Sequence, residues 1–135
     1  MNFSGNKILV VFFSHTGQNY SNGGIIDLKK GNTAVAAEML VKLTDADIFE
    51  IQSTEGYPYE YKACVARAED ELRANSRPIL SNDRKISGYD VIILGFPNWC
   101  GTMPMPVWTF LENHDFTGKI ILPFCTNEGS GMGNS

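Results

Sequence analysis

The sequence predicts an α/β fold, a parallel sheet with helices on both faces. The first observation is a pair of apolar runs, Lys7-Ile8-Leu9-Val10-Val11-Phe12-Phe13 and Asp90-Val91-Ile92-Ile93-Leu94-Gly95-Phe96. Neither shows the polar alternation of a half-solvated strand, so both read as strands buried on both faces. The second is the regular alternation of strand and helix signals along the chain, which implies right-handed crossovers within one parallel sheet. A chain of 135 residues, 43% hydrophobic and 19% charged, can fill the single core such a sheet needs, and residues 1–135 read as one domain.

The first strand, residues 7–13, runs into a polar, glycine-containing stretch over residues 18–31. A helix is expected over residues 32–43, with Ala36, Met39, Leu40 and Leu43 on one face and Asn32 or Thr33 capping its start. Residues 47–51, with Ile48, Phe49 and Ile51, form a short second strand. Gly56 and Pro58 interrupt the chain before a longer helix over residues 60–74, where Tyr61, Val65, Ala68 and Leu72 form the apolar stripe. Glu69, Asp70, Glu71 and Arg73 are expected in solvent, and Arg77-Pro78 closes the segment. The third strand covers residues 91–96. A third helix over residues 104–113 opens on prolines, which a first turn tolerates because the missing N–H would be unpaired there. Gly118 turns the chain into a fourth strand over residues 119–125, and residues 128–135 are rich in glycine and serine.

Composition narrows the function. A net charge of −4 without a lysine or arginine run gives no footing for nucleic acid or a membrane surface. No apolar stretch approaches the ~20 residues that span a bilayer. Three widely spaced cysteines do not read as a disulfide framework, and a reducing cytoplasm is the expectation. Cys64 reads as a small core residue, Trp108 as packing, and His15 and His114 as solvated surface histidines without metal or triad partners. Cys100 and Cys125 end neighbouring strands, but no Cys-x-x-Cys spacing marks a redox pair.

In open parallel sheets ligands bind beyond the carboxyl ends of the strands, near the point where strand order reverses. After the first strand, Ser14, Thr16 and Gly17 offer hydroxyls and amides that suit a phosphate, and the helix start at Asn32 and Thr33 adds oriented N–H groups. The same residue types also suit an ordinary turn. After the third strand come Pro97, Asn98, Trp99, Cys100, Gly101 and Thr102. Here an indole beside a glycine either stacks on a flat ring or covers the sheet edge. After the fourth, Thr126, Gly129 and Ser130 offer small polar groups for a pyrimidine edge, or else belong to a flexible tail. A phosphate pocket beside a stacking indole suits a phosphorylated aromatic cofactor, of which flavin mononucleotide (FMN) is the simplest. Competing motifs are absent. There is no Gly-x-Gly-x-x-Gly after the first strand, no Gly-x-x-x-x-Gly-Lys-Ser/Thr, no Cys-x-x-x-x-x-Arg, and no aspartate ending the third strand.

The chain resembles flavodoxin-like proteins, in particular a bacterial subgroup with a long first ligand loop. The likeness rests on the strand 7–14 with Thr16-Gly17, on Gly31-Asn32-Thr33, on Gly88-Tyr89-Asp90-Val91-Ile92, on Gly101-Thr102-Met103-Pro104-Met105-Pro106, and on Pro123-Phe124-Cys125-Thr126 with Gly129-Ser130-Gly131. It implies a three-layer sandwich with non-covalent FMN at the strand ends. Ser14, Thr16, Gly17, Asn32 and Thr33 would hold the phosphate, residues 97–102 would flank the ring, and residues 126–130 would make the third contact. Residues 18–30 match the subgroup's insertion. Cys100 stands where relatives carry a second large aromatic. The family continues past the third loop into another helix and a fifth strand, whereas this sequence stops at Ser135. A sheet of order 2-1-3-4 in a C-terminally truncated domain is therefore expected, with Ile120, Ile121, Leu122 and Phe124 on an exposed edge that invites a homodimer. The resemblance implies FMN-binding electron transfer with a redox partner protein. The alternatives are an FMN-dependent NAD(P)H quinone or flavin reductase, and a truncated, non-catalytic flavodoxin-fold module.

Overall fold

The two central strands are built almost wholly of buried side chains. In the computed structural model, which describes residues 7–21, 24–28, 30–99 and 102–126, β1 (Ile8–Phe12) is buried along its whole length and β5 (Val91–Pro97) in all but its last residue. Chain order is β1, β2 (Gly17–Ser21), β3 (Gly24–Leu28), α1 (Asn32–Thr44), β4 (Asp47–Glu50), α2 (Tyr61–Arg73), β5, α3 (Met105–Glu112) and β6 (Ile120–Thr126). The main sheet has order β4-β1-β5-β6 and is parallel throughout, the 2-1-3-4 order expected. The chain reverses its direction of travel across the sheet at β1, which places the switch point between β1 and β5.

Alternate residues of the central strands feed separate cores. Leu9, Val11 and Phe13 join Ile92, Leu94 and Phe96 on one face, where Val107 and Phe110 of α3 cover them. Ile8, Val10 and Phe12 join Val91 and Ile93 on the other, under Ala37 of α1. Each such aliphatic or aromatic side chain removed from water contributes ~1.5–3 kcal/mol, so the sheet needs helices on both sides. At register position Gly95↔Phe124, a Cβ on the glycine would fall 2.0 Å from the Phe124 ring, so glycine lets that ring lie across β5.

Several expectations change. The stretch expected to be an irregular loop holds an antiparallel hairpin over residues 17–28, with Gly17 opposite Leu28 and Ser21 opposite Gly24. The buried face of α1 is Thr33 and Ala37 with Leu40 and Val41, whereas Met39 is 60% and Leu43 80% exposed. The row carrying the small Ala37 wins because it lets the helix approach the sheet closely. Neither Asn32 nor Thr33 caps α1. Gly31 holds the cap position, and Ser14 Oγ accepts the Ala34 N–H at 3.2 Å. On α2 the inward residues are Cys64 and Ala68; Leu72 is exposed, while the Glu71 side chain, expected in solvent, is only 12% exposed. Among the described residues β6 pairs only with β5, and its Ile120 and Ile121 are exposed. No helix among them is long and apolar enough to cross a membrane.

Candidate functional site

The carboxyl ends of β1, β5 and β6 lie along one rim and are tied together. The Phe13 N–H donates to Gly95 O at 2.9 Å, and the Asn98 N–H donates to Thr126 O at 3.0 Å. The Thr33 and Thr126 hydroxyls share a hydrogen bond of 2.8 Å, which joins the start of α1 to the end of β6. Ser14 is half-buried at the tip of β1, and Thr16 beyond it is exposed.

Two glycines close the first loop. Gly17 has φ +121°, and a Cβ there would stand 2.7 Å from the Tyr59 ring and 2.9 Å from the Tyr59 carbonyl oxygen. Gly31 has ordinary backbone angles, yet its Cβ would fall 2.1 Å from Ser14 Oγ and 2.6 Å from His15 O. The backbone therefore folds tightly around Ser14, and the first N–H groups of α1, at Asn32 and Thr33, have no intrahelical acceptor. Together with the helix dipole they suit an anion. Because Ser14 Oγ accepts from Ala34, its own proton remains to donate outward.

Trp99 stands beside this loop. It exchanges two backbone hydrogen bonds with Thr102, at 2.9 and 3.1 Å, and its half-buried indole meets three rings edge-on. These are Phe13 at 5.1 Å and 85°, Tyr57 at 5.0 Å and 76°, and His15 at 6.1 Å and 70°, measured between centroids. Thr102 is 6% exposed, and its Oγ1 is buried with no hydrogen-bond partner among the described residues. A buried hydroxyl of that kind lacks about 1–3 kcal/mol of compensation until a partner arrives. The Ser14 hydroxyl, the tight cradle at Gly31 and the first amides of α1 fit the phosphate of a phosphorylated, ring-bearing cofactor, and the orphan Thr102 hydroxyl stands in the Trp99 turn.

The rim thus brings together Ser14, Thr16, Gly17, Asn32, Thr33, Pro97, Asn98, Trp99, Thr102 and Thr126. Cys100, Gly101, Gly129 and Ser130 lie outside the described residues, as does any approach of Cys100 to Cys125. Both histidines depart from expectation. His15 is 8% exposed, and its Nε2–H donates to Pro58 O at 2.8 Å. His114 bonds Asp83 at 2.7 Å and packs on Phe110 at 4.6 Å. In each case a neighbouring loop or helix covers the ring and supplies an oxygen.

A profile described as flavodoxin matches residues 26–135. The chain belongs to the flavodoxin family. Solved structures agree. A protein described provisionally as a flavoprotein, from Bacteroides eggerthii, is 30% identical with a TM-score of 0.75, over 92% of this chain and 72% of its own. A second with the same provisional description, from Bacteroides uniformis, is 32% identical with a TM-score of 0.74, over 93% of this chain and 74% of its own. A flavoprotein in complex with FMN from Lactobacillus acidophilus, 22% identical with a TM-score of 0.73 over 92% of this chain and 76% of its own, shares the fold. No curated protein matches the chain.

Sequence reasoning missed the segment Tyr57-Pro58-Tyr59, which flavodoxin-fold topology brings to the rim between β4 and α2. Tyr57 packs on Trp99, Pro58 O accepts the His15 N–H, and Tyr59 covers Gly17 while its hydroxyl donates to Asp27 at 3.0 Å. The Tyr57 hydroxyl donates to Glu71 Oε1 at 2.5 Å. Burial, and then that carboxylate, push its ionisation far above the usual tyrosine range. The available signal was two tyrosines flanking a proline directly before a helix, which is more aromatic surface than a connecting loop needs.

Proposed function

We propose that this member of the flavodoxin family binds FMN non-covalently at the rim and serves in electron transfer, with a redox partner protein and a cytoplasmic setting. The observation that carries the reading is that Trp99 packs on His15, in the loop whose neighbouring Ser14 is tied to the first turn of α1. Ser14, Thr16, Gly17, Asn32 and Thr33 would hold the phosphate through hydroxyls, amides and the helix dipole. Trp99 would flank the ring with Pro97, Asn98, Cys100, Gly101 and Thr102, while Thr126, Gly129 and Ser130 would meet its polar edge. Such a cofactor, when bound, accepts and returns electrons. The chain's part is to orient it, exclude water and set the local electrostatics.

Titration of the flavin-free protein with FMN, read by quenching of flavin fluorescence, tests the proposal. Stoichiometric tight binding is expected, and a folded protein that leaves the fluorescence unchanged refutes it in favour of a non-catalytic module. The net charge of −4 favours a second reading, an NAD(P)H quinone or flavin reductase, because carriers that steer partner proteins gain from stronger charge. Steady turnover of NAD(P)H with a quinone would select it. We also propose that the β6 edge pairs with a second copy. Support comes from Ile120 and Ile121, 47% and 38% exposed along that strand. Sedimentation equilibrium showing only monomer would refute that pairing.

A further inference from the structure

We infer that Tyr57 is a positioning residue that fixes the orientation of the Trp99 indole, with Glu71 and Arg67 as its anchor; this rests on the FMN reading above. The backbone exchange between Trp99 and Thr102 holds the indole's attachment point but leaves its side-chain torsions open. Those torsions are set by the rings around it. Phe13 is locked by the core and His15 by Pro58 O. Tyr57 comes from a loop, and its own position depends on what holds it.

Glu71 and Arg67 grip it from two directions. Its hydroxyl donates to Glu71 Oε1 at 2.5 Å, and the Arg67 guanidinium lies 4.9 Å from its ring centroid. Arg67 reaches Glu71 at 3.4 Å and Glu55 at 2.9 Å. Glu55 is 78% exposed and contributes little, whereas Glu71, at 12%, is a carboxylate largely withdrawn from water. A buried carboxylate is costly unless both its oxygens are used. Here one accepts the Tyr57 O–H hydrogen bond and the other faces Arg67. A carboxylate on the inward side of α2, where an apolar residue would pack without penalty, is explained by its hold on Tyr57 and through it on Trp99. Ordering an aromatic wall before the cofactor arrives lowers the entropy lost on binding.

The test uses the full chain in a Trp108→Phe background, so that Trp99 is the sole indole of the two in the sequence. Tyr57→Phe removes the hydroxyl and keeps the ring; Glu71→Gln keeps an acceptor, and Glu71→Leu removes it. Without flavin, Trp99 anisotropy decay and acrylamide quenching report the freedom of the indole. With flavin, the FMN dissociation constant reports the consequence. Tyr57→Phe and Glu71→Leu should raise the quenching constant roughly twofold and weaken FMN roughly three- to tenfold, the size of one lost hydrogen bond. Glu71→Gln should sit between them and the parent. An indole equally ordered in parent and Tyr57→Phe overturns the inference, as does a freed indole with unchanged FMN affinity. Failure of the parent to bind FMN overturns the functional reading instead, and the flavin-free measurements still decide whether Tyr57 holds Trp99.

Discussion

Replacing Gly31 with alanine probes how tightly the first loop is wrapped, and its cost can be worked from the structure. With φ −65° and ψ 155° the position accepts any residue, so the whole effect comes from the added methyl. That methyl would fall 2.1 Å from Ser14 Oγ and 2.6 Å from His15 O. The serine can rotate away, but it then releases the Ala34 N–H that it caps, a loss of ~1 kcal/mol. The carbonyl is backbone and moves only by shifting the loop, an overpacking cost of ~1–3 kcal/mol. The sum, ~2–4 kcal/mol, corresponds to a Tm lowered by roughly 6–15 °C for a domain of this size. Urea and thermal unfolding of the flavin-free protein measure it directly, and FMN affinity should fall at least ~10-fold because the phosphate donors move. In a Ser14→Ala background one of the two clashes is already gone, so the double variant should be less destabilised than the sum by ~1 kcal/mol. A Gly31→Ala protein melting within ~2 °C of the parent would refute the close approach. Strict additivity with Ser14→Ala would refute the assignment of the cap.

Other outcomes follow from single contacts. Gly95→Ala would drive a methyl into the Phe124 ring and should cost ~1–3 kcal/mol by chemical denaturation, a loss that Phe124→Leu in the same chain partly relieves. Thr126→Val leaves the buried Thr33 hydroxyl unpaired and should destabilise by ~1–3 kcal/mol, Thr33→Val leaves only the half-buried Thr126 hydroxyl and should cost less, and the double variant should cost less than the sum of the two, a double-mutant cycle in urea being the check. Tyr57 ionises far later when folded than when unfolded, so its contribution is complete below the unfolded tyrosine range and fades as pH rises from there towards the folded value. Ultraviolet titration at 295 nm should show one tyrosine resisting ionisation beyond its neighbours, and Tyr57→Phe should abolish that lag.

The parallel sheet was legible because its signal is redundant. The runs at Ile8–Phe12 and Val91–Pro97 are buried on both faces, and at 5 and 7 residues between turn signals they are too short for a buried helix. Helix existence was legible for the same reason, but helix phase was not. In α1, Ala36-Met39-Leu40-Leu43 and Thr33-Ala37-Leu40-Val41 are both plausible faces, and the choice depends on how near the sheet lies and on Thr126, which is 93 positions away from Thr33. The hairpin β2–β3 was hidden by polar composition, although Asn22-Gly23 between its strands is a strong two-residue turn signal. On the rim, residues at strand ends were found because ligand position follows topology. Glu71 escaped because nothing local distinguishes an anchor from a surface carboxylate, and Tyr57 because its neighbouring Pro58 reads first as a break in the chain. His15 was misjudged because the carbonyl that binds it arrives from a loop 43 positions later.

The hairpin lies between β1 and α1, yet its two ends are fastened to each other independently of its strands, by Ser14 Oγ on the Ala34 N–H and by Gly31 against His15 O. A loop stapled at its base can vary in length and sequence without disturbing what lies beneath, since doubling a closed loop costs only ~0.6 kcal/mol. The outer part of the ribbon, residues 18–26, is therefore a natural grafting point, with Gly17 and Asp27 kept for their contacts with Tyr59. Recombination there would change what the protein's surface presents to the outside while leaving the machinery at the strand ends intact.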